Sequence, residues 1–310
     1  MTQTDQVPSM HLYAAGFNAW RQLEFLPVGN TADEPDDIMS FQKVLSDKFI
    51  EVQYAALTYT IANTSTGLRY AGFIDEGFGY ELEQKLLSST AAVAGNGLIA
   101  VYDGDSRIIQ CTSQVGSTEA QRKTFSGMSD IIQLVAYETG FVALSLDGKV
   151  WTWGDERYSA TLGREVTISS PAESPSLVED LEDLPSGKIK KLAAAGYTVL
   201  ALTEGHDLYA WGGHPAHQPV LDSISANPSP VDVEEHDILD FSVGEAHMIV
   251  LTMSGDVYTI GDNADSQLGL PLQKTAKWEQ VPLSLREEAI VGVEAGQRSS
   301  FIVTKHAPLA

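Results

Sequence analysis

One stretch of the chain shows the hydrophobic pattern of a β unit most clearly. Residues 241–252 carry two short apolar runs around a glycine, a pattern that predicts two strands joined by a tight turn. A third strand is predicted at 257–260 and ends at the corner residue Gly261. A polar loop follows and closes on Leu268 and Gly269. The stretch as a whole therefore predicts most of one antiparallel sheet.

The same arrangement returns along the chain. Residues 131–154 and 189–212 are clear copies, whereas 91–112 is a worn copy without the corner glycine. The corner glycines are Gly16, Gly72, Gly154, Gly212 and Gly261. Their spacing implies a repeat of roughly 40 to 58 residues, which is typical of propeller blades of about four short strands. We therefore predict an all-β fold, a single β-propeller in which six repeats are counted.

The two ends of the chain hold complementary halves of one unit. The beginning carries Tyr13 and Gly16 without a preceding strand pair, and 290–304 is a strand pair without the half that should follow. Joining the two halves would close the ring and remove a free sheet edge. We expect a flexible N-terminus over 1–10, a β-propeller over 11–305 and a C-terminal tail over 306–310.

Composition restricts the partners. The chain has 19 Lys and Arg against 42 Asp and Glu, a net charge of −23. Such a charge disfavours direct nucleic-acid binding and anionic membranes, and it favours a basic protein partner. A single cysteine, Cys111, and the lack of a signal-peptide pattern favour an intracellular location, in the cytoplasm, the nucleus or both. By itself the chain is expected to be monomeric.

The pattern shows no catalytic constellation, so we predict no enzyme, no cofactor and no metal. His214 and His217 have a spacing that suits metal ligands on a helix, but Pro215 between them predicts a loop. Three Ser-Pro pairs are open to two interpretations, as proline-directed phosphorylation sites or, more simply, as turns. These pairs begin at Ser170, Ser174 and Ser229.

Two acidic loops are the candidate partner-binding residues, although a solvated loop is the plainer interpretation of each. Their acidic residues are Asp33, Glu34, Asp36 and Asp37 in the first loop, and Glu179, Asp180, Glu182 and Asp183 in the second. Because both loops precede a new strand pair, we expect them on comparable edges of the ring. A further set of residues is interpreted as structural. These repeat positions are Tyr13, Gly16, Tyr70, Gly72, Trp153, Gly154, Trp211, Gly212, Tyr258, Gly261 and His247.

The repeats at 150–155, 208–212 and 257–269 resemble those of the regulator of chromosome condensation family. The resemblance extends to His247, which stands where the family usually carries a histidine, and it covers nearly the whole chain. It implies a propeller closed by a blade shared between the termini, usually with seven blades. We therefore favour seven slightly over the six counted, with a seventh hidden in one of the long predicted loops, 24–48, 164–188 or 213–238. The chain would be a short member without a basic tail.

The leading functional hypothesis is a non-enzymatic interaction scaffold or regulatory subunit. It would bind a protein partner of basic character through loops on one face of the propeller. The alternative, implied by the resemblance alone, is a guanine-nucleotide exchange factor for a small GTPase. Exchange requires only a wedge that displaces the nucleotide, so the sequence leaves both open.

Overall fold

The computed structural model describes residues 10–25, 35–74, 90–112, 122–285 and 287–306. In these ranges the chain folds almost entirely into short antiparallel strands. The first twelve are β1 Met10–Gly16, β2 Ile38–Asp47, β3 Ile50–Ala55, β4 Tyr59–Thr64, β5 Gly67–Gly72, β6 Ala91–Val93, β7 Leu98–Tyr102, β8 Arg107–Thr112, β9 Lys123–Ser126, β10 Ile131–Tyr137, β11 Gly140–Ser145 and β12 Val150–Gly154. The rest are β13 Ser176–Leu177, β14 Ile189–Ala195, β15 Thr198–Thr203, β16 Leu208–Gly212, β17 Ser229–Pro230, β18 Ile238–Val243, β19 His247–Thr252, β20 Val257–Asp262, β21 Lys274–Gln280, β22 Glu288–Ala295 and β23 Ser299–His306. Two 3₁₀ turns, Glu156–Leu162 and Glu179–Leu181, complete the described elements.

The described strands form six sheets, as counted from the repeats. Five have four strands, in the orders β2-β1-β23-β22, β6-β7-β8-β9, β10-β11-β12-β13, β14-β15-β16-β17 and β18-β19-β20-β21, and one has three, β3-β4-β5. This is the all-β, blade-by-blade organisation of a propeller. The chain divides into two compact units, one of Met1–Gly77 with Leu239–Ala310 and one of Phe78–Ile238.

The preference for seven blades was wrong for the described residues, which form six sheets. Each of the three long loops that were to hide a seventh blade contributes one outer strand to a sheet already counted: β2, β13 or β17. The sequence prediction treated 24–48 as loop throughout, whereas β2 spans ten residues of it. These outer strands carry few buried side chains, so their hydrophobic alternation is weak.

The predicted pairing of the chain ends is confirmed. β1 lies between β2 and β23, and Leu12 is opposite Val303 in the antiparallel register with β23. The residues buried there include Leu12, Leu45 and Phe301, which belong to one apolar cluster. N-terminal and C-terminal strands thus share one sheet, while closure of all six sheets into a ring stays a prediction.

Asn18 and Asn263, each two residues after a corner glycine, occupy equivalent local structures. In the first unit the amide oxygen of Asn18 accepts from Leu23 N at 3.1 Å, and that of Asn263 accepts from Leu268 N at 2.7 Å. Each side chain thus closes the loop that follows a corner glycine. At the corner Gly212, φ is +132° and an added Cβ would collide with the carbonyl of Tyr197, so only glycine fits.

The repeat tryptophans of the second unit contact neighbouring elements, Trp153 the sheet that contains β8 and Trp211 the 3₁₀ turn after β12. Trp153 and Trp211 are almost completely buried. The indole of Trp211 donates to the carbonyl of Thr161 at 3.0 Å, and the indole of Trp153 donates to Gln110 Oε1 at 2.8 Å. The polar edge of each ring is therefore satisfied while its apolar body fills the space between blades.

A glutamate on β22 links all four strands of the terminal sheet. The Glu288 carboxylate accepts from Tyr13 of β1 at 3.1 Å and from Thr304 of β23 at 2.5 Å, and Lys43 Nζ of β2 lies 3.3 Å away. Burial of Glu288 opposes its ionisation, but the hydrogen bonds from Thr304 and Tyr13 and the charge of Lys43 outweigh it. The pKa of Glu288 is consequently lowered, which means that its charged form stabilises the fold.

We predict that Glu288→Gln lowers the free energy of unfolding by about 2 kcal/mol at neutral pH, because it removes a carboxylate that accepts several hydrogen bonds. Urea denaturation measures the loss. Since the folded pKa is lowered, the difference from wild type should shrink as the pH falls through that value. The exposed neighbour Glu287, changed to Gln, is the control, and equal stability of the two variants would contradict the linking role.

His247 is a buried histidine of the first unit. It is 0% exposed, and its Nε2 lies 3.0 Å from Ser300 Oγ and 3.2 Å from the carbonyl of Ser299. Its Nδ1 has no hydrogen-bond partner among the described residues. Burial lowers the pKa of His247 to about 4, against the weaker opposing effect of the Ser299 hydrogen bond. The imidazole is therefore neutral in the folded protein at physiological pH.

This burial predicts a loss of stability in mild acid. His247 is protonated near pH 6.5 in the unfolded chain but only near pH 4 in the folded chain. The contribution of neutral His247 to stability is therefore present above pH 6.5 and decreases below it. Between pH 7 and pH 5 the contribution lost is about 2 kcal/mol. Thermal or urea unfolding of wild type and His247→Gln over this range tests it. The Gln variant should lack this part of the slope, whereas His217→Gln, at an exposed histidine, should keep it.

Candidate protein-interaction surface

The second acidic loop is a short, firmly anchored turn. Val178 and Leu181 are buried, and Leu184 packs against the same cluster. These aliphatic residues recur at every third position, the period of the 3₁₀ turn that begins at Glu179. The backbone bonds Leu181 N to Val178 O, at 3.1 Å, and Glu182 N to Glu179 O, at 3.0 Å, hold the turn. Anchored in this way, the turn directs the intervening carboxylates outward.

All four acidic residues predicted in this loop are exposed. Leu181 is 4% exposed and Val178 is 1% exposed, so the alternation of acid and aliphatic side chains is sharp. Asp183 adopts the left-handed conformation with φ of 56°, which turns the chain toward β14. The buried aliphatic residues thus hold the four exposed carboxylates in fixed positions.

The next connection repeats the design, and the sequence prediction did not include it. Val233 and Ile238 are each 1% exposed and anchor the segment between β17 and β18. Its carboxylates, Asp232, Glu234, Glu235 and Asp237, are all exposed. The signal that could have found it is the aliphatic anchor flanked by acidic residues, which it shares with the turn at 178–184.

A turn between β15 and β16 joins these two connections. Glu204 N donates to the carbonyl of Lys188 at 2.8 Å, on the side of the first connection. Ile238 N donates to the carbonyl of His206 at 3.0 Å, on the side of the second. Glu204 and Asp207 of this turn are exposed as well. We define the acidic surface as Glu179, Asp180, Glu182, Asp183, Glu204, Asp207, Asp232, Glu234, Glu235 and Asp237.

The acidic surface carries little internal compensation. Lys188 and Lys190 are exposed nearby, and Lys190 Nζ lies 3.2 Å from His206 Nδ1 rather than against a carboxylate. Among the described residues, no ion pair involves a carboxylate of the surface. Repulsion between so many like charges raises the energy of the free surface, and a cationic partner would relieve it.

The first acidic loop belongs to the other unit and has a partly structural role. Asp37 Oδ1 accepts from Asn18 N at 2.9 Å, so this carboxylate fixes the loop after β1. Asp36 is exposed. Asp33 and Glu34 lie outside the described residues, and their grouping with the second loop on one face stays a prediction.

Other chemistry is sparse in the described ranges. The rings of His214 and His217 are 4.3 Å apart between centroids, but no cluster of three or more metal-ligating side chains occurs there. Cys111 lies on β8. In the part of the chain that the structure describes, no helix has the length and apolarity required to cross a bilayer.

Segments of the chain are similar to named proteins. One of 147 residues is 33% identical to the probable E3 ubiquitin-protein ligase HERC6 of Homo sapiens and covers 45% of this chain and 14% of that protein. Another of 146 residues is 29% identical to the Regulator of chromosome condensation of Mus musculus and covers 46% of this chain and 33% of that protein. The chain thus spans about a third or less of these relatives. No family model matches it.

The fold is similar to that of Prp20p from Saccharomyces cerevisiae, a protein studied for its binding to Gsp1p and histones. The TM-score is 0.64 at 12% identity, over 98% of this chain and 93% of that one. At this identity the likeness concerns the fold alone. The resemblance inferred from the repeats is confirmed by the segment matches together with this fold.

Proposed function

We propose that the chain, which resembles the regulator of chromosome condensation family in sequence and fold, is an interaction scaffold or regulatory subunit that binds a basic protein. The propeller fold supports a regulatory or interaction role. The acidic surface of the second unit is the proposed contact. The role requires no catalytic step, since the protein would act by holding its partner.

The observation that carries the proposal is the anchoring of the carboxylates. Val178, Leu181 and Val233 are buried core residues, so the acidic residues between them are held in place before a partner arrives. Binding by an ordered loop loses less conformational entropy than binding by a mobile one.

Charge determines the class of partner. The chain carries −23 overall, and the exposed carboxylates of the acidic surface exceed its lysines. Long-range attraction would accelerate encounter with a Lys- and Arg-rich surface, and salt would screen it. A stable contact would bury about 800 Å² on each partner. This area would extend the contact beyond the turn at 178–184 to its neighbours.

A charge-neutral variant tests the proposal. Glu179→Gln, Asp180→Asn, Glu182→Gln and Asp183→Asn together should weaken binding of purified core histones, used here as the basic probe, by about tenfold at low salt. Fluorescence anisotropy across a salt series measures the affinity. Wild-type binding should weaken steeply with salt, and the variant should show a shallower dependence.

The matched control removes the same charge elsewhere in the second unit. Asp105→Asn, Glu156→Gln, Glu165→Gln and Glu173→Gln change exposed carboxylates outside the acidic surface. This control should bind nearly as wild type does. Equal weakening of both variants would mean that net charge alone attracts the probe, and unchanged affinity in the first variant would contradict the proposal outright.

Guanine-nucleotide exchange is the second candidate. It is supported by similarity to the Regulator of chromosome condensation and by the likeness to Prp20p, whose partner Gsp1p is a small GTPase. A partner-binding propeller could displace nucleotide by a loop inserted beside the phosphates, without a reacting side chain. The chain matches only about a third of the Regulator of chromosome condensation, so exchange activity is a separate hypothesis.

Release of a fluorescent guanine nucleotide tests the exchange hypothesis. Substoichiometric amounts of the chain should accelerate release from Gsp1p or from another purified small GTPase. No acceleration for any GTPase in a broad panel would exclude this candidate and leave the scaffold proposal intact, because histone binding is measured independently.

A further inference from the structure

The three Ser-Pro pairs of the sequence differ sharply in the fold. Ser229 and Pro230 form β17 and pair with β16, so this serine is part of a sheet. Ser170 and Ser174 instead lie in the loop between the 3₁₀ turn Glu156–Leu162 and β13. Of these two, only Ser170 has a hydroxyl that contacts a cation.

That cation is Arg164, at the start of the loop. Its Nη1 donates to Ser170 Oγ at 2.8 Å and to the Ser170 carbonyl at 3.0 Å. Its Nη2 donates to the carbonyls of Thr152, Pro171 and Ser174, at 3.0, 3.1 and 3.2 Å. Arg164 therefore gathers the loop around its guanidinium and fastens it to β12.

Every one of these acceptors is neutral. In the described residues Arg164 forms no ion pair, although it is half-buried and the chain has more than twice as many acidic as basic residues. Burial lowers the pKa of Arg164, which reflects the cost of holding an uncompensated cation away from water. A dianion beside Nη1 would supply the missing charge.

The loop is accessible around Ser170. Thr167, Ile168 and Ser169 are exposed, and Ile168 has no shielding at all. The local structure that a kinase would have to open is a small turn. It is held by two backbone bonds between Thr167 and Ser170, of 3.1 and 3.2 Å, and by the bonds from Arg164 to Ser170 and Pro171. The pairing of β12 with β13, which joins Trp151 to Leu177 and Thr152 to Ser176, uses none of these bonds.

We propose that Ser170 is a phosphorylation site for a proline-directed protein kinase and that Arg164 is the built-in receptor for the phosphate. The Ser170 Oγ–phosphorus bond forms as the bond from the γ-phosphorus of ATP to its bridging oxygen breaks. ADP leaves with the bond electrons, and the hydroxyl proton passes to the kinase base. Serine gains a group of about −2 charge with three strong acceptor oxygens.

The consequence is a tighter loop. A phosphate accepts charge-assisted hydrogen bonds from the planar guanidinium, and these exceed the bonds to neutral carbonyls in strength. The other charged side chains of the loop, Glu165 and Glu173, are exposed and negative, so they oppose the phosphate through solvent. Arg164 is closer and partly buried, and its attraction therefore dominates. This site is independent of the proposed partner surface.

Phosphorylation of the folded protein provides the first test. The purified chain is incubated with a proline-directed kinase and Mg-ATP, and intact mass and peptide mapping locate the phosphate. Wild type and Ser174→Ala should each acquire it on Ser170, and Ser170→Ala should not. Modification confined to Ser174 or Ser229, or none with an active kinase, overturns the proposal.

Amide hydrogen exchange provides the second test, with each variant compared in its own phosphorylated and unphosphorylated forms. In wild type, phosphate should slow exchange in residues 165–175 about tenfold, as expected for a new charged hydrogen-bond pair. Arg164→Lys keeps the positive charge but lacks the planar guanidinium with its paired N–H donors, so phosphate should slow exchange less in this variant. Equal slowing in both proteins, or faster exchange in phosphorylated wild type, overturns the role of Arg164.

Discussion

The first unit depends on the insertion of β1 between β2 and β23. Its polypeptide comes from both ends of the chain, so its terminal sheet cannot form until residues separated by almost the whole sequence have met. The entropy of that closure is offset by apolar burial, with Leu12 and Phe301 fully enclosed. Glu288 adds a directional component, because one carboxylate engages side chains on the three other strands. Such a sheet is specified by both its core and its polar contacts.

Within each unit the strands share a local solution for polar groups. Asn18 and Asn263 close the loops after corner glycines. The indole N–H of Trp153 reaches β8 of a neighbouring sheet, and that of Trp211 reaches the 3₁₀ turn after β12. Buried backbone and side-chain groups thereby find partners without water. His247 is one of five exceptions in the described structure, where a buried side-chain atom has no partner; the others are Thr60, Thr139, Ser186 and Trp278. The core accommodates the His247 imidazole because the ring is neutral, and protonation of the ring in acid would destabilise the fold.

Strands buried on both faces were predictable from sequence, because their continuous apolar runs are stable only in the core. β11, β15 and β19 are of this kind, with every residue buried. The outer strands were missed for the opposite reason. β2 is mostly exposed or half-buried, and its place depends on backbone pairing with β1, which leaves little trace in side-chain pattern. The expectation of a seventh blade came from the family resemblance, and the unrecognised outer strands left loops long enough to hold it.

The acidic surface was likewise predicted only in part from the sequence. The carboxylates at 179–183 were recognised as a charge run, whereas those at 232–237 were missed although they flank an aliphatic anchor in the same way. The turn bearing Glu204 joins the two connections, and no linear pattern encodes that junction. Strand cores thus restrict sequence tightly, while connections need only an anchor. Val178, Leu181 and Val233 provide it by apolar burial, and Arg164 provides it by hydrogen bonds. An apolar anchor is indifferent to charge and permits an acidic loop above it. A cationic anchor is sensitive to charge, so a loop held by Arg164 can respond to a new anion where the acidic loops cannot.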